Sequence, residues 1–217
     1  VNLNIQTKGK IMEYSNVVQQ RRSVKSYDPE KTISDSELEE LFQEVVLTPS
    51  SFNLQHWTFV AVKTPEIKNK LREAAWGQQQ VEDCSVAFLV CGKLDAYKDA
   101  AEIYKNTPQQ VQDNVVPMIN NFYEGKEQLQ RDEAIRSASL AAMSLMYAAK
   151  NRGWVTGPMI GFDPDAASKL LKLPENYVPV MLIVMGYQKD EPRPRDSRRP
   201  ISEVVKLDSM EGPGLKG

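Results

Sequence analysis

Between Arg131 and Asn151 the chain reads RDEAIRSASLAAMSLMYAAKN, its longest helical pattern. Ala134, Ala138, Ala141, Ala142, Leu145, Met146 and Ala149 give that helix a broad apolar surface made largely of small side chains. A helix of this kind is the buried spine of a core or of a subunit interface. Gly153, just beyond, is its expected stop.

Few segments read as strands to set against this spine. SVAFLVCG, Ser85 to Gly92, is apolar throughout, the pattern of a central strand buried on both faces. YVPVMLIVMGY, Tyr177 to Tyr187, is a second strand, and TFVAVK, Thr58 to Lys63, a third. The other periodic segments are helical. Met12 to Arg21 places Met12, Tyr14, Val17 and Val18 on one face. Ser34 opens a helix with Glu37 three residues on, a capping box, and Pro49 ends it. Leu38, Leu41, Phe42, Val45 and Val46 form its buried stripe. Pro65 opens a short helix to Ala75. Asp95 to about Glu124 is helical with a break near Pro108, and Asp163 caps a short helix in DPDAASKLLKL. A helix-rich chain with a few hydrophobic strands predicts an α+β domain.

With 217 residues the chain suits one domain. The expected division is a polar extension over 1–11, a domain over 12–206 with a Pro- and Arg-rich arm from about 188, and a tail over 207–217. Lys+Arg 27 against Asp+Glu 29 gives a net charge of −2, which argues against a nucleic-acid partner. No apolar run approaches the roughly 18 residues of a membrane span. Val1 to Ile11 lacks the apolar core of a signal peptide, so a cytoplasmic location is expected. Cys84 and Cys91 read as buried packing residues. With His56 the only histidine, no metal site is expected.

Four stretches carry unusual polar chemistry. Arg21, Arg22, Ser23 and Lys25 gather where the first helical pattern gives out. Arginine grips phosphate with two parallel hydrogen bonds and serine adds a donor; cations also simply suit a helix C-terminus. TPSSFNLQHW, Thr48 to Trp57, is rich in hydroxyls and amides, and equally in ordinary turn formers. A serine nucleophile paired with His56 is disfavoured there, because no G-x-S-x-G elbow surrounds Ser50 or Ser51. GWVTGPMIGFD, Gly153 to Asp163, lets a ligand approach the backbone, or is a plain turn into a helix. It is neither the dinucleotide fingerprint nor the P-loop. The last stretch holds Arg193, Arg195, Arg198 and Arg199.

Taken in order, RRSVKSYD, PSSFNLQHW, GPMIGFD after the Ala-rich helix, VPVMLIVMGY and the Arg-bearing arm resemble the FMN-dependent nitroreductase family, from about Tyr14 to Val205. The resemblance implies a nitroreductase-like fold, a central mostly antiparallel sheet surrounded by helices, in an intertwined homodimer with FMN at the subunit interface. It implies that Arg21, Arg22, Ser23 and Lys25 hold the flavin phosphate, ribityl chain and ring edge. Pro49, Ser50, Ser51 and Asn53 would come from the other subunit. Arg198 matches the family's phosphate-binding arginine, and Arg195 stands in for the cation that usually precedes it.

Pro158, Met159, Ile160 and Gly161 would border the flavin, the backbone N–H groups of Ile160 and Gly161 facing N5 and O4. Gln78 and Gln80 would reach the pyrimidine edge, and Phe122 and Tyr123 would cap the substrate pocket. The implied activity is hydride transfer from NAD(P)H through flavin N5 to nitroaromatic, quinone or similar acceptors, by a ping-pong course without a catalytic side chain. Reductive dehalogenation, enone reduction or flavin fragmentation are alternatives within the superfamily, and a non-enzymatic FMN-binding protein is an alternative outside it. Two departures stand out: His56 where the family commonly has proline, and Ile160 where some members have an acidic residue or glycine.

Overall fold

The structure, a computed structural model, describes residues 12–216; the extension expected at 1–11 lies outside them. In chain order the elements are α1 (Tyr14–Gln20), α2 (Asp35–Val45), β1 (Trp57–Val62), α3 (Pro65–Ala74), α4 (Gln80–Asp83) and β2 (Val86–Lys93). Then follow α5 (Ala100–Tyr104), α6 (Gln109–Tyr123), α7 (Glu127–Asn151), β3 (Val155–Met159), α8 (Pro164–Leu170), β4 (Tyr177–Gly186) and α9 (Ile201–Val204). The strands form one fully antiparallel sheet in the order β1-β2-β4-β3.

The two apolar runs are the central strands, with Phe88 opposite Ile183 and Leu89 opposite Leu182. Their side chains alternate between two cores, as strand geometry requires. Val86, Phe88, Val90, Ile183 and Met185 pack with Leu41 and Val45 of α2 and the alanines of α7. Ala87, Leu89, Cys91, Leu182 and Val184 pack on the other face with Leu71 of α3 and Ala167 of α8. Both cysteines are therefore core residues, and burial pushes each thiol up to about 12.

The spine helix α7 runs across all four strands. Its alanines are needed for close approach. A Cβ on Gly92 of β2 would stand 2.6 Å from the Ala134 carbonyl oxygen, so helix and sheet meet backbone to backbone there. The capping box of α2 has both halves: Glu37 N–H donates to Ser34 Oγ, and Ser34 N–H donates to the Glu37 carboxylate. The helical stretch after β2 breaks before Pro108, as expected.

One element escaped the sequence reading. VTGPM, taken there as part of a glycine-rich turn, is strand β3. Glycine and proline are depleted in strands, which hid it. Proline is tolerated because β3 is the last strand of the sheet: β4 pairs along one side, and on the other side only a short bridge at Thr156, before Pro158, takes a bond. Helix α7 also begins at Glu127, earlier than its apolar pattern, because its first turn is exposed. Beyond β4 the arm is mostly exposed, and Lys206 and Gly214 bridge to close a small hairpin at its end. No helix among the described residues is long and apolar enough to cross a membrane.

Candidate functional site

The chain leaves α1 extended, and Val24 N–H donates to the Thr156 carbonyl at 3.0 Å. Ser23 and Thr156 form a parallel bridge, so residues 21–25 run alongside β3. Gly157 makes this possible: a Cβ there would lie 2.6 Å from the Val24 carbonyl oxygen. The arm returns to the same place. Arg195 Nη2 donates to the carbonyls of Val18 (3.3 Å), Gln19 (3.1 Å) and Arg21 (2.8 Å). Arg22 Nη1 donates to Gln19 (2.5 Å) and Arg21 (3.2 Å). These bonds satisfy carbonyls that a helix end leaves open.

Each guanidinium has five donors, so both retain unused edges. None of Arg21, Arg22, Arg195 and Arg198 forms an ion pair among the described residues. Arg195 is held below the usual arginine range by lost hydration and by its neighbours Arg22, Arg198 and Arg21. Cations gathered without a paired carboxylate are suited to an anion.

β3 ends in a tight turn. Phe162 N–H donates to the Ile160 carbonyl at 3.0 Å, and Gln78 Nε2 donates to the Gly161 carbonyl at 2.7 Å. Gln80 backs this brace, donating to Gln78 Oε1 at 3.1 Å and to Met159 Sδ at 3.1 Å from a buried position. The Ile160 carbonyl is turned in to Phe162, so the trans peptide directs the Gly161 N–H away from it. The N–H groups of Ile160 and Gly161 donate to no acceptor among the described residues. The Ile160 side chain is 83% exposed, and Met159 is buried.

The serine-rich loop lies elsewhere. Ser51–Asn53 is a single 3₁₀ turn; Ser50 Oγ accepts from Gln55 N–H at 2.9 Å, and Ser51 Oγ accepts from the Tyr123 hydroxyl at 2.7 Å. The loop packs with Leu54, Ile119 and Tyr123 in a third core beneath α5 and α6. His56 is buried, its Nδ1 unpartnered, and burial holds it below the usual histidine range against the pull of Glu133. It bonds to neither serine, so no nucleophilic pair exists. Phe122 is 44% exposed whereas Tyr123 is 1% exposed. The expected aromatic cap therefore divides: only Phe122 presents a face outward, while Tyr123 points into the core toward Ser51.

A protein-family model described as the nitroreductase family matches residues 18–187. The chain belongs to the nitroreductase family. It is 42% identical over 201 residues to MhqN of Bacillus subtilis (strain 168), named provisionally as an NAD(P)H nitroreductase, covering 89% of this chain and 98% of the relative. A CLA biosynthesis enone reductase from Lactiplantibacillus plantarum is 29% identical over 193 residues, covering 83% of this chain and 88% of that one. A crystal structure from Exiguobacterium sibiricum 255-15, described provisionally as a nitroreductase and solved in complex with FMN, superposes with a TM-score of 0.87. It is 31% identical and covers 93% of this chain and 100% of that one. The nitroreductase-like fold expected from the motifs is thus the fold this chain has.

Within this nitroreductase, residues 21–25 lie along β3, which ends in the 158–161 turn with its Gln78 and Gln80 brace, and Arg195 of the arm bonds to the start of that segment. No hydrogen bond among the described residues joins them to Pro49, Ser50, Ser51 or Asn53. Two residues at these places were missed by the sequence reading. Trp76 is 70% exposed beside Gly161, whose added Cβ would meet its ring at 3.3 Å; its signal is a tryptophan at a helix end followed by glycine. Tyr104 donates its hydroxyl to the Phe52 carbonyl at 3.1 Å, and nothing local marks it.

Proposed function

We propose that this protein is an FMN-dependent oxidoreductase that takes hydride from NAD(P)H and reduces electrophilic acceptors. The observation that carries the reading is the order of groups along β3. Because residues 21–25 run parallel to the strand from Ser23 at Thr156, Arg21 and Arg22 lie toward its start and Lys25 toward Pro158. The free N–H groups of Ile160 and Gly161 follow. An elongated ligand with an anionic end and an acceptor-rich flat ring matches that sequence of groups. The arginines grip its phosphate, Ser23 the chain, Lys25 the ring edge, and the two amides the far acceptors. The family relative solved in complex with FMN supports FMN as that ligand.

When bound, FMN supplies the redox chemistry, accepting hydride from the nicotinamide and passing electrons to an acceptor in a second half-reaction. The chain's part is placement and electrostatics. Lys25 offers a cation where negative charge develops on the reduced ring. The bond from Phe162 N–H to the Ile160 carbonyl fixes the direction of the Gly161 N–H, and Gln78 holds the next peptide, the one that supplies the Phe162 N–H. Ile160 and Trp76, with Phe122 beside the serine-rich loop of a second copy, offer apolar surface to a flat acceptor. Nitroaromatics and quinones fit such a surface, and the enone reductase relative adds activated enones.

The site is completed by a second copy of the chain. The Pro49–Asn53 loop makes no hydrogen bond to the arginine segment of its own chain, which suits a loop that serves the partner's site. Ile201, Val204, Val205 and Leu207 of the arm are exposed. A cleft of about 480 Å³ beside edge strand β1, lined by Leu38, Phe42, Val46, Trp57 and Phe59, is also apolar. Both surfaces suit burial between protomers.

The test is the visible spectrum of the purified protein before and after anaerobic NADH or NADPH. Flavin bands that bleach are expected. A colourless protein that takes up no added FMN would refute the reading, as would a flavin-loaded monomer in sedimentation for the dimer.

A further inference from the structure

The Ser50–His56 loop is held in an unfavourable shape by two tyrosines from a distant segment. Phe52, Asn53 and Gln55 all have positive φ, at 50°, 53° and 50°. Side-chain-bearing residues avoid this region, and three within four positions persist only where surroundings enforce them. The loop's own bonds are few: Asn53 N–H to the Ser50 carbonyl, Leu54 N–H to the Ser51 carbonyl, and Gln55 N–H to Ser50 Oγ. Besides Lys93 N–H, which donates to the His56 carbonyl where the loop enters β1, two side-chain bonds come from outside. Tyr104 of α5 donates to the Phe52 carbonyl at 3.1 Å, and Tyr123 of α6 donates to Ser51 Oγ at 2.7 Å. The Phe52 ring is also gripped edge-on by Phe122 and Tyr123, with centroids 5.6 Å and 6.2 Å away.

The Tyr123 bond has a second effect. A serine hydroxyl that accepts one hydrogen bond keeps its own proton to donate. No described residue accepts the proton of Ser51. We infer that Tyr104 and Tyr123 are positioning residues: they clamp the loop in its left-handed shape, and Tyr123 makes Ser51 an outward hydrogen-bond donor. The α5–α6 excursion thus does more than cover the sheet. It presents the loop ready-formed, so that ordering cost is not met at binding. Tyr123 acts through Ser51 and touches no ligand itself. That the ligand is FMN rests on the function proposed above; the clamp does not.

The test compares the full-length wild type with Tyr104→Phe, Tyr123→Phe, Ser51→Ala and the Tyr123→Phe/Ser51→Ala double variant. Tyrosine-to-phenylalanine changes keep the rings and remove only the hydroxyls. Amide exchange at Asn53, Leu54 and Gln55 is read without added flavin, and FMN affinity by quenching of flavin fluorescence. Exchange should quicken severalfold in both tyrosine variants while exchange in β2 and β4 is unchanged. Tyr123→Phe should weaken FMN about three- to tenfold, the range of one hydrogen bond. The double variant should be no worse than Ser51→Ala, because one residue acts through the other. Unchanged loop exchange, or additive losses in the double variant, would overturn the assignment. A wild type that takes up no FMN would sink the functional reading instead, and amide exchange would still decide the clamp.

Discussion

Arg198→Ala separates ligand binding from folding at the arginine cluster. Arg198 donates only to the carbonyls of its neighbours Asp196 and Ser197, so its removal breaks no tertiary hydrogen bond. It is one of the guanidiniums that depress Arg195, so its loss also relieves repulsion within the unliganded cluster. Unfolding in urea should therefore stay within about 0.5 kcal/mol of wild type. Binding should behave differently. A hydrogen bond to a charged group contributes about 1.5–3 kcal/mol, and the exposure of Arg198 places the loss at the lower end. A rise of about 10- to 30-fold in the FMN dissociation constant follows. Riboflavin, which lacks the phosphate, is the control: fluorescence titration should give the same riboflavin affinity for variant and wild type. Wild-type FMN affinity in the variant, or an equal loss for riboflavin, would refute the phosphate assignment.

Gly157→Ala should destabilise the fold by about 1–3 kcal/mol in urea unfolding, because its Cβ would press on the Val24 carbonyl and part residues 21–25 from β3. Ser34→Ala should cost about 1 kcal/mol by the same measurement, since it removes one half of the α2 capping box and leaves the core untouched. His56 gives a pH signature: its folded value lies below the ordinary 6.5, so the unfolded chain binds the extra proton first. Wild-type stability should be fully present above about pH 6.5 and fall as pH drops toward the folded value, and His56→Gln should flatten that slope. The carboxylates of Asp35, Glu37 and Glu82, also lowered, act only nearer their ordinary values of 3.8 and 4.5, so the two windows are distinguishable.

Much of the fold was legible because local pattern and burial agree. The all-apolar runs of β2 and β4 could be stable only between two covered faces, and the alanine surface of α7 only in close contact. The cluster of cations and hydroxyls after α1 was legible too, since such a gathering stands out in a chain of balanced charge. Strand β3 was not legible: its glycine and proline are turn residues until a neighbouring strand on one side and residues 23–24 on the other give them an edge to occupy.

By itself, then, the sequence determined the central strands, the spine helix and the cap of α2, all set by local periodicity and side-chain chemistry. Only the tertiary structure decided which groups meet. It laid residues 21–25 along β3, brought Arg195 from 174 residues away onto the end of α1, and turned Tyr123 from a pocket wall into a brace for Ser51. It also freed the amides of Ile160 and Gly161. Those outcomes depend on which carbonyls and hydroxyls remain unsatisfied once the sheet has formed, and unsatisfied groups are a property of the folded chain.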